Sequence, residues 1–382
     1  MRTIAYVGRD GRIHLIDAGG DRPLTWAHQP ASPWSRGMAK AERCAWPSIS
    51  PDHSRVAFIR VDGPEVPGPG RVEVHERDGV EGSVVFAIDE AVPLHAGWNG
   101  SGTHVSVICQ SDDRLELWVA ALDGREPRLV DEGVPLFSRW LEDGARLVIH
   151  AGADDGQPGR LVVRDPYGTA EDVLLPHDAG SFCTPQVIGG RIVSVTNRDG
   201  ASVVLSTDLT GHQAHELWRG KGLVTVVPLA GTPAVAVAAA DRHRGGPYGD
   251  LWRVPLDGAP ATRIAAGPFH ALEPLPGGAV AVARFAPARR DIAWTLHRDG
   301  DAVALGRVRP TPDQQFHLHF FEQLGPSHPA SDGELLLQGV VGPTGHELVG
   351  LDLTDPGRVH RLGEGSYGVF APERAPKEEP CP

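Results

Sequence analysis

The chain has 382 residues, 41% hydrophobic and 22% charged, so it can bury a substantial core. Thirty-six basic residues against 49 acidic ones leave a net charge of −13. An acidic surface of that size repels phosphate backbones and anionic lipid, which argues against nucleic acid and membrane surfaces as partners. No apolar run approaches the roughly 20 residues of a spanning helix, and the first residues enter a strand pattern without a signal-peptide core, so the expectation is a soluble, cytoplasmic protein.

In chain order, residues 3 to 27 carry three short strand patterns, TIAYVG, RIHLIDAG and RPLTWA, followed by the long insertion HQPASPWSRGMAKAERC at residues 28 to 44. A unit then recurs: a turn, an apolar run, a second run ending in Asp-Gly or similar, and a third. It begins at Trp46-Pro-Ser-Ile-Ser-Pro-Asp before RVAFIRV, at Trp98 before HVSVICQ and at Trp140 before ARLVIHA. Weaker copies begin at Gln186, Pro228, Pro274 and Ala330, and SYGVFAP near residue 370 looks like a first strand without followers. Each run is β-branched or alternating and too short for a helix, and ten Asp-Gly dipeptides mark the hairpins. Units spaced roughly 40 to 60 residues apart match a four-stranded blade.

The fold class is therefore all-β, a β-propeller of four-stranded antiparallel blades over residues 1–372. Seven internal units plus one composite blade favour eight blades, with seven as the alternative. The composite would take its B, C and D strands from the N-terminus and its A strand from the C-terminus, closing the ring and removing exposed sheet edges. Residues 373–382 read as a frayed tail. Cys44, Cys109, Cys183 and Cys381 form no Cys-x-x-Cys pair and read as reduced thiols. The repeat, most clearly Trp46 to Phe58 (WPSISPDHSRVAF), resembles the TolB-like group of propellers. That resemblance bears on fold and leaves function to the site.

In a propeller the A strands line the central channel, and the D-to-A and B-to-C connections share one face around its mouth. Polar residues that start A strands or end B strands are expected to converge there. This selects Cys44, His95, His270, Gln314, His317, His319 and His328 at A-strand starts, and His150 and His243 at B-strand ends. His14, His75 and His297 fall on outer strands. His317 and His319 are two apart, so in an extended strand both imidazoles would share a face. With Gln314 and with His270 from the neighbouring blade they would offer three imidazoles and an amide oxygen to one divalent ion, with manganese favoured and iron, nickel or zinc as alternatives. Hydrogen-bonded channel histidines are the competing reading.

The stretch Gln314-Gln-Phe-His317-Leu-His319 resembles the Q-x-x-H-x-H metal motif of the oligogalacturonate lyases. His243-Arg-Gly-Gly-Pro-Tyr248 is similar to that family's H-E-G-P-W segment, and His270 stands where the family has a further ligand, with His328 as an alternative ligand. The resemblance implies a metal-dependent lyase that eliminates across a uronate: a cation stabilises the enolate and His243 removes the proton beside the carboxylate. Arg242 would help keep that base neutral, Tyr248 would donate to the leaving oxygen, and Arg244 would hold a second carboxylate. His95, His150, Trp34 and Arg36 would line the substrate site, the last two on the insertion, for which an ordinary surface loop is the alternative. The partner would be a carboxylated small molecule. Elimination, isomerisation or cyclisation of another carboxylated metabolite, and a non-enzymatic binding propeller, are the other readings, and the oligomeric state stays open.

Overall fold

The architecture, taken from a computed structural model, is a ring of eight antiparallel blades with, among the described residues, one short α-helix. The structure describes residues 2–25, 43–61, 67–79, 82–88, 91–152, 159–168, 170–180, 183–240, 247–286, 290–320 and 328–373. Blades 2 to 8 are meanders in which neighbours in sequence are neighbours in the sheet. Blade 3, for example, runs Val92–Trp98, His104–Ser111, Arg114–Ala121 and Arg128–Gly133. Two of the Asp-Gly signals are hairpin turns with both residues left-handed: Asp199 and Gly200 have φ of 52° and 73°, and Asp299 and Gly300 have 52° and 90°. Among the described residues no helix is long and apolar enough to cross a membrane. Cys44, Cys109 and Cys183 are buried free thiols.

The ring closes as the two chain ends suggest. Ile4–Gly8 pairs with Gly365–Phe370 through Ile4↔Phe370, Ala5↔Val369, Tyr6↔Gly368 and Val7↔Tyr367. Blade 1 thus has the order Gly20–Pro23, Ile13–Asp17, Ile4–Gly8, Gly365–Phe370. The blade count resolves to eight.

Blade 8 departs from the repeat. Its regular strands are Leu335–Gly342, Gly345–Asp352 and Val359–Gly363. Where an A strand belongs, the segment around Pro329–Ser331 makes only sparse pairing: the Leu337 N–H donates to the Ala330 carbonyl at 2.8 Å, and Ser331 bridges to Leu336. The connection from blade 7 instead carries helix α1 (Pro312–His319), which corrects the expectation of an extended strand over Gln314 to His319. Thr311-Pro312 starts the helix for a local reason. The Thr311 hydroxyl accepts from the Gln314 N–H at 3.2 Å, and proline is pre-organised at the first helical position.

Apolar side chains pack between blades rather than within them. One cluster joins blades 1 to 3 through Leu15, Phe58 and Val105, and another joins blades 6 to 8 through Ala236, Trp294 and Leu351. Trp294 is 1% exposed and donates its indole N–H to Gln338 Oε1 at 3.1 Å, tying blade 7 to blade 8.

Candidate functional site in the channel

Helix α1 sits against the inner strands on its buried face, which carries Asp313, Gln314, His317 and Leu318. Asp313 is held by the Arg43 guanidinium at 2.6 Å and by the Ser366 hydroxyl. Phe316 stacks on Trp46 with centroids 4.5 Å apart. Gln314 Oε1 accepts from the Gly339 N–H at 2.9 Å. Gly339 is glycine for a steric reason: a Cβ there would overlap the Ser366 carbonyl oxygen, a backbone atom that has nowhere to go. Gly339→Ala is therefore expected to destabilise the protein by roughly 1–3 kcal/mol, read as a lowered melting temperature. A melting point unchanged from wild type would show that this contact is loose.

Successive helical residues turn by about 100°, so His317 and His319 point about 200° apart. His317 is 2% exposed and faces the channel, while His319 is on the exposed side of the helix. His270 accepts from the Phe285 N–H through Nδ1 at 3.1 Å, and burial, with a smaller effect from nearby His319, holds its pKa below the usual histidine value. The expected ligand set thus falls into separate parts. His317 is turned away from His319, and the Gln314 oxygen is committed to a backbone amide. No group of three or more His, Cys, Asp or Glu able to hold a metal occurs among the described residues. The expected four-ligand site does not fit this arrangement.

What α1 does bring together is an acid, an imidazole and a phenol. His317 Nδ1 lies 3.2 Å from the Tyr367 hydroxyl, and its Nε2 lies 3.8 Å from Glu273 Oε2, beyond hydrogen-bond length. Nε2 is buried without a hydrogen-bond partner. Burial and the neighbouring Glu273 raise the Tyr367 pKa well above its usual value, so the phenol keeps its proton. A phenol donating to Nδ1 leaves the proton of the neutral imidazole on Nε2, facing the Glu273 carboxyl. Glu273 comes from the A strand of blade 7 (Ala271–Pro274) and also accepts weakly from the Ala330 N–H at 3.4 Å.

His317 and Glu273 line a cavity of about 480 Å³, together with His328 and Arg139. Arg139 belongs to the A strand of blade 4 (Leu136–Trp140) and is the only Lys or Arg lining the cavity among the described residues. The surrounding channel walls desolvate its guanidinium and lower its pKa to about 10, which leaves it cationic at neutral pH. His95 stacks near His328 with centroids 5.2 Å apart, and its Nε2 is buried without a partner. Burial, and secondly the Arg139 charge, push the His95 pKa down to about 3.

The cavity lies toward the opposite face from the one expected. Its rim is made by Glu142, by Ala230 to Thr232, by Pro276 and by Asp332, all in or beside A-to-B hairpins, whereas α1 belongs to a D-to-A connection. Of the sequence candidates, His317 and His328 line this cavity and His95 lies next to His328. His150 is spent on the Cys183 carbonyl, 2.9 Å from its Nδ1, and burial lowers its pKa. Tyr248 is a packing residue that stacks on Phe269 and exchanges backbone hydrogen bonds with it. Trp34, Arg36, Arg242, His243 and Arg244 lie outside the described residues. Sequence reading passed over Arg139, Glu273 and Tyr367. Each is a polar residue on an A strand, and that placement alone would have marked them as facing the channel.

No family model matches the sequence, and no curated protein does. Among solved structures, a prolyl endopeptidase superposes with a TM-score of 0.57 at 12% identity, over 87% of this chain and 50% of that one, so the chain spans half that protein's length. The β-propeller domain of the Trilobed protease from Pyrococcus furiosus gives 0.55 at 13% identity, over 85% and 99% of the two chains. TolB from Acinetobacter baumannii gives 0.45 at 12% identity, over 95% and 79%. At such identities the first two likenesses speak for architecture alone and the third carries no argument, and on its own sheet order and register the chain is an eight-bladed β-propeller.

Proposed function

We propose that the protein is an enzyme that moves a proton beside a carboxylate on a small molecule held in the channel cavity, in the manner of a β-eliminating lyase. The observation that carries the reading is the line Glu273, His317, Tyr367 with the Arg139 cation lining the same cavity. Elimination needs a base and an acid within reach of one substrate, and an electrostatic anchor for the charge that builds on the carboxylate. Arg139 takes the substrate carboxylate. Glu273 removes the adjacent proton, and the C–H electron pair moves into the enolate. The enolate collapses to the double bond and expels the leaving oxygen, which takes the proton from His317 Nε2 and leaves an imidazolate stabilised by the Tyr367 hydroxyl donating to Nδ1. The proton on Glu273 then passes to Nε2, which restores the neutral imidazole and the carboxylate.

The resemblance at residues 314–319 makes short galacturonate oligomers the first substrates to try, with the ultraviolet absorbance of an unsaturated product as the readout. For any carboxylated compound that turns over, Glu273→Gln and His317→Asn are expected to lower kcat by about 10²–10⁴-fold. Arg139→Met is expected to act mainly on KM. Turnover at the wild-type rate in either of the first two variants would overturn the assignment.

A further inference from the structure

We infer that the compound this cavity takes is a monocarboxylic acid with a hydrocarbon body, its one further polar group the leaving oxygen β to the carboxylate, rather than a sugar acid, an inference that rests on the proton-transfer reading of the same cavity. Arg139, Glu273, His317 and His328 line it. Much of the remaining wall is Val187, Ile188, Val227, Pro228, Leu229 and Pro274, contributed by the A strands of blades 5 to 7 and the turn after one of them. Those side chains offer no hydrogen-bond donor or acceptor. Five prolines line the cavity, and a proline also withholds its backbone N–H. The hydroxyls of a uronate laid along that wall would lose water without finding partners, whereas a hydrocarbon body loses nothing. The volume of about 480 Å³ lies within the range of small-molecule sites.

The charges restrict the ligand to one carboxylate. Besides Arg139, the Asp, Glu, Lys and Arg side chains lining the cavity among the described residues are Glu142, Glu273, Asp332 and Glu373, all acidic. Two of them are already engaged at the rim. Glu142 accepts from the Gly189 and Gly190 N–H groups at 2.7 and 3.0 Å, and Asp332 is paired with Arg2. A second carboxylate on the ligand would meet these acids, as it would in any oligomer of uronates.

Calorimetric titration of the wild-type protein with butyrate, hexanoate, octanoate and galacturonate tests this. Each added methylene buried against the wall is expected to tighten binding about fourfold. Galacturonate should bind at least tenfold more weakly than hexanoate, which has the same number of carbons. Arg139→Met should weaken octanoate by at least tenfold. A flat series with galacturonate as the tighter ligand would overturn the substrate class and leave the proton-transfer assignment to its own variants. A rising series indifferent to Arg139→Met would instead remove the carboxylate anchor on which the proposed function depends. Failure of all four acids to bind would overturn the class directly.

Discussion

Removal of the last strand, by ending the chain at Gly363, is expected to abolish the cooperative native state. Gly365–Phe370 is the inner strand of blade 1, and all six of its residues are buried. Tyr367, Val369 and Phe370 are each 2% exposed or less. Burying large apolar side chains is worth roughly 1.5–3 kcal/mol apiece, and the deletion also takes away the backbone pairing to Ile4–Gly8. That total reaches into the whole stability of an ordinary domain, roughly 5–15 kcal/mol. The truncated ring would also expose Ile4–Gly8 as a free edge, which invites pairing between molecules. Loss of the sharp thermal transition, with aggregates on size exclusion, is the expected result. Phe370→Ala is the graded form and should cost about 3–5 kcal/mol. A truncated chain that melts cooperatively within a few degrees of the intact one would show that closure contributes little.

The second large effect is acid destabilisation driven by histidine rather than by carboxylates. His95 has its folded pKa lowered to about 3 by burial and by Arg139, and His150, His177 and His270 are lowered mainly by burial. The direction follows from proton binding. Between the ordinary histidine pKa of about 6.5 and the lowered folded value, the unfolded chain binds protons that the folded chain refuses, so stability falls as pH falls through that window. His95 alone should contribute a slope of about 1.4 kcal/mol per pH unit, or about 3 kcal/mol by pH 4. His95 is only partly exposed, and its buried Nε2 has no hydrogen-bond partner to relieve a charge. Carboxylates held low, such as Asp52 and Glu73 at about 2, begin to lose their own contribution only as pH falls through the ordinary carboxylate value of about 4, so the upper part of the window reports histidine and the wild-type-minus-variant difference cancels the rest. Denaturant unfolding from pH 7 to 4.5 should therefore be steeper for wild type than for His95→Gln. Parallel curves would mean that His95 is solvated in the folded state.

How much of this was legible beforehand depends on the scale. Hairpin turns, strand alternation and the complementary ends are local patterns with a short-range cause, so Trp46, Trp98 and Trp140 each sit at or near the end of an A strand as the repeat requires. Ring closure was legible because two incomplete blades can satisfy only each other. The site was less legible because Gln314 to His319 reads equally as an alternating strand and as a helix. The decisive residues lie just upstream: Thr311 caps and Pro312 starts a helix. Once the backbone coils, the two-residue spacing that united His317 and His319 separates them. Glu273 and Tyr367 could not be paired with His317 by spacing at all, since they are 44 and 50 positions away and meet it only because the ring brings three inner elements together.

The placement of the apolar clusters has a consequence for how damage spreads. Every cluster straddles at least one boundary between neighbouring blades, including the boundary between blades 8 and 1, where Tyr6 and Leu337 share a cluster. Stability is then a closed loop of nearest-neighbour couplings. Cutting the polypeptide within an exposed turn while leaving all eight couplings in place should cost far less than cutting one coupling, because the second lesion turns a circle into a line with two unprotected ends. A nick and a broken boundary would thus be told apart by hydrogen exchange: the first confined to its own turn, the second loosening outward from both sides of the gap.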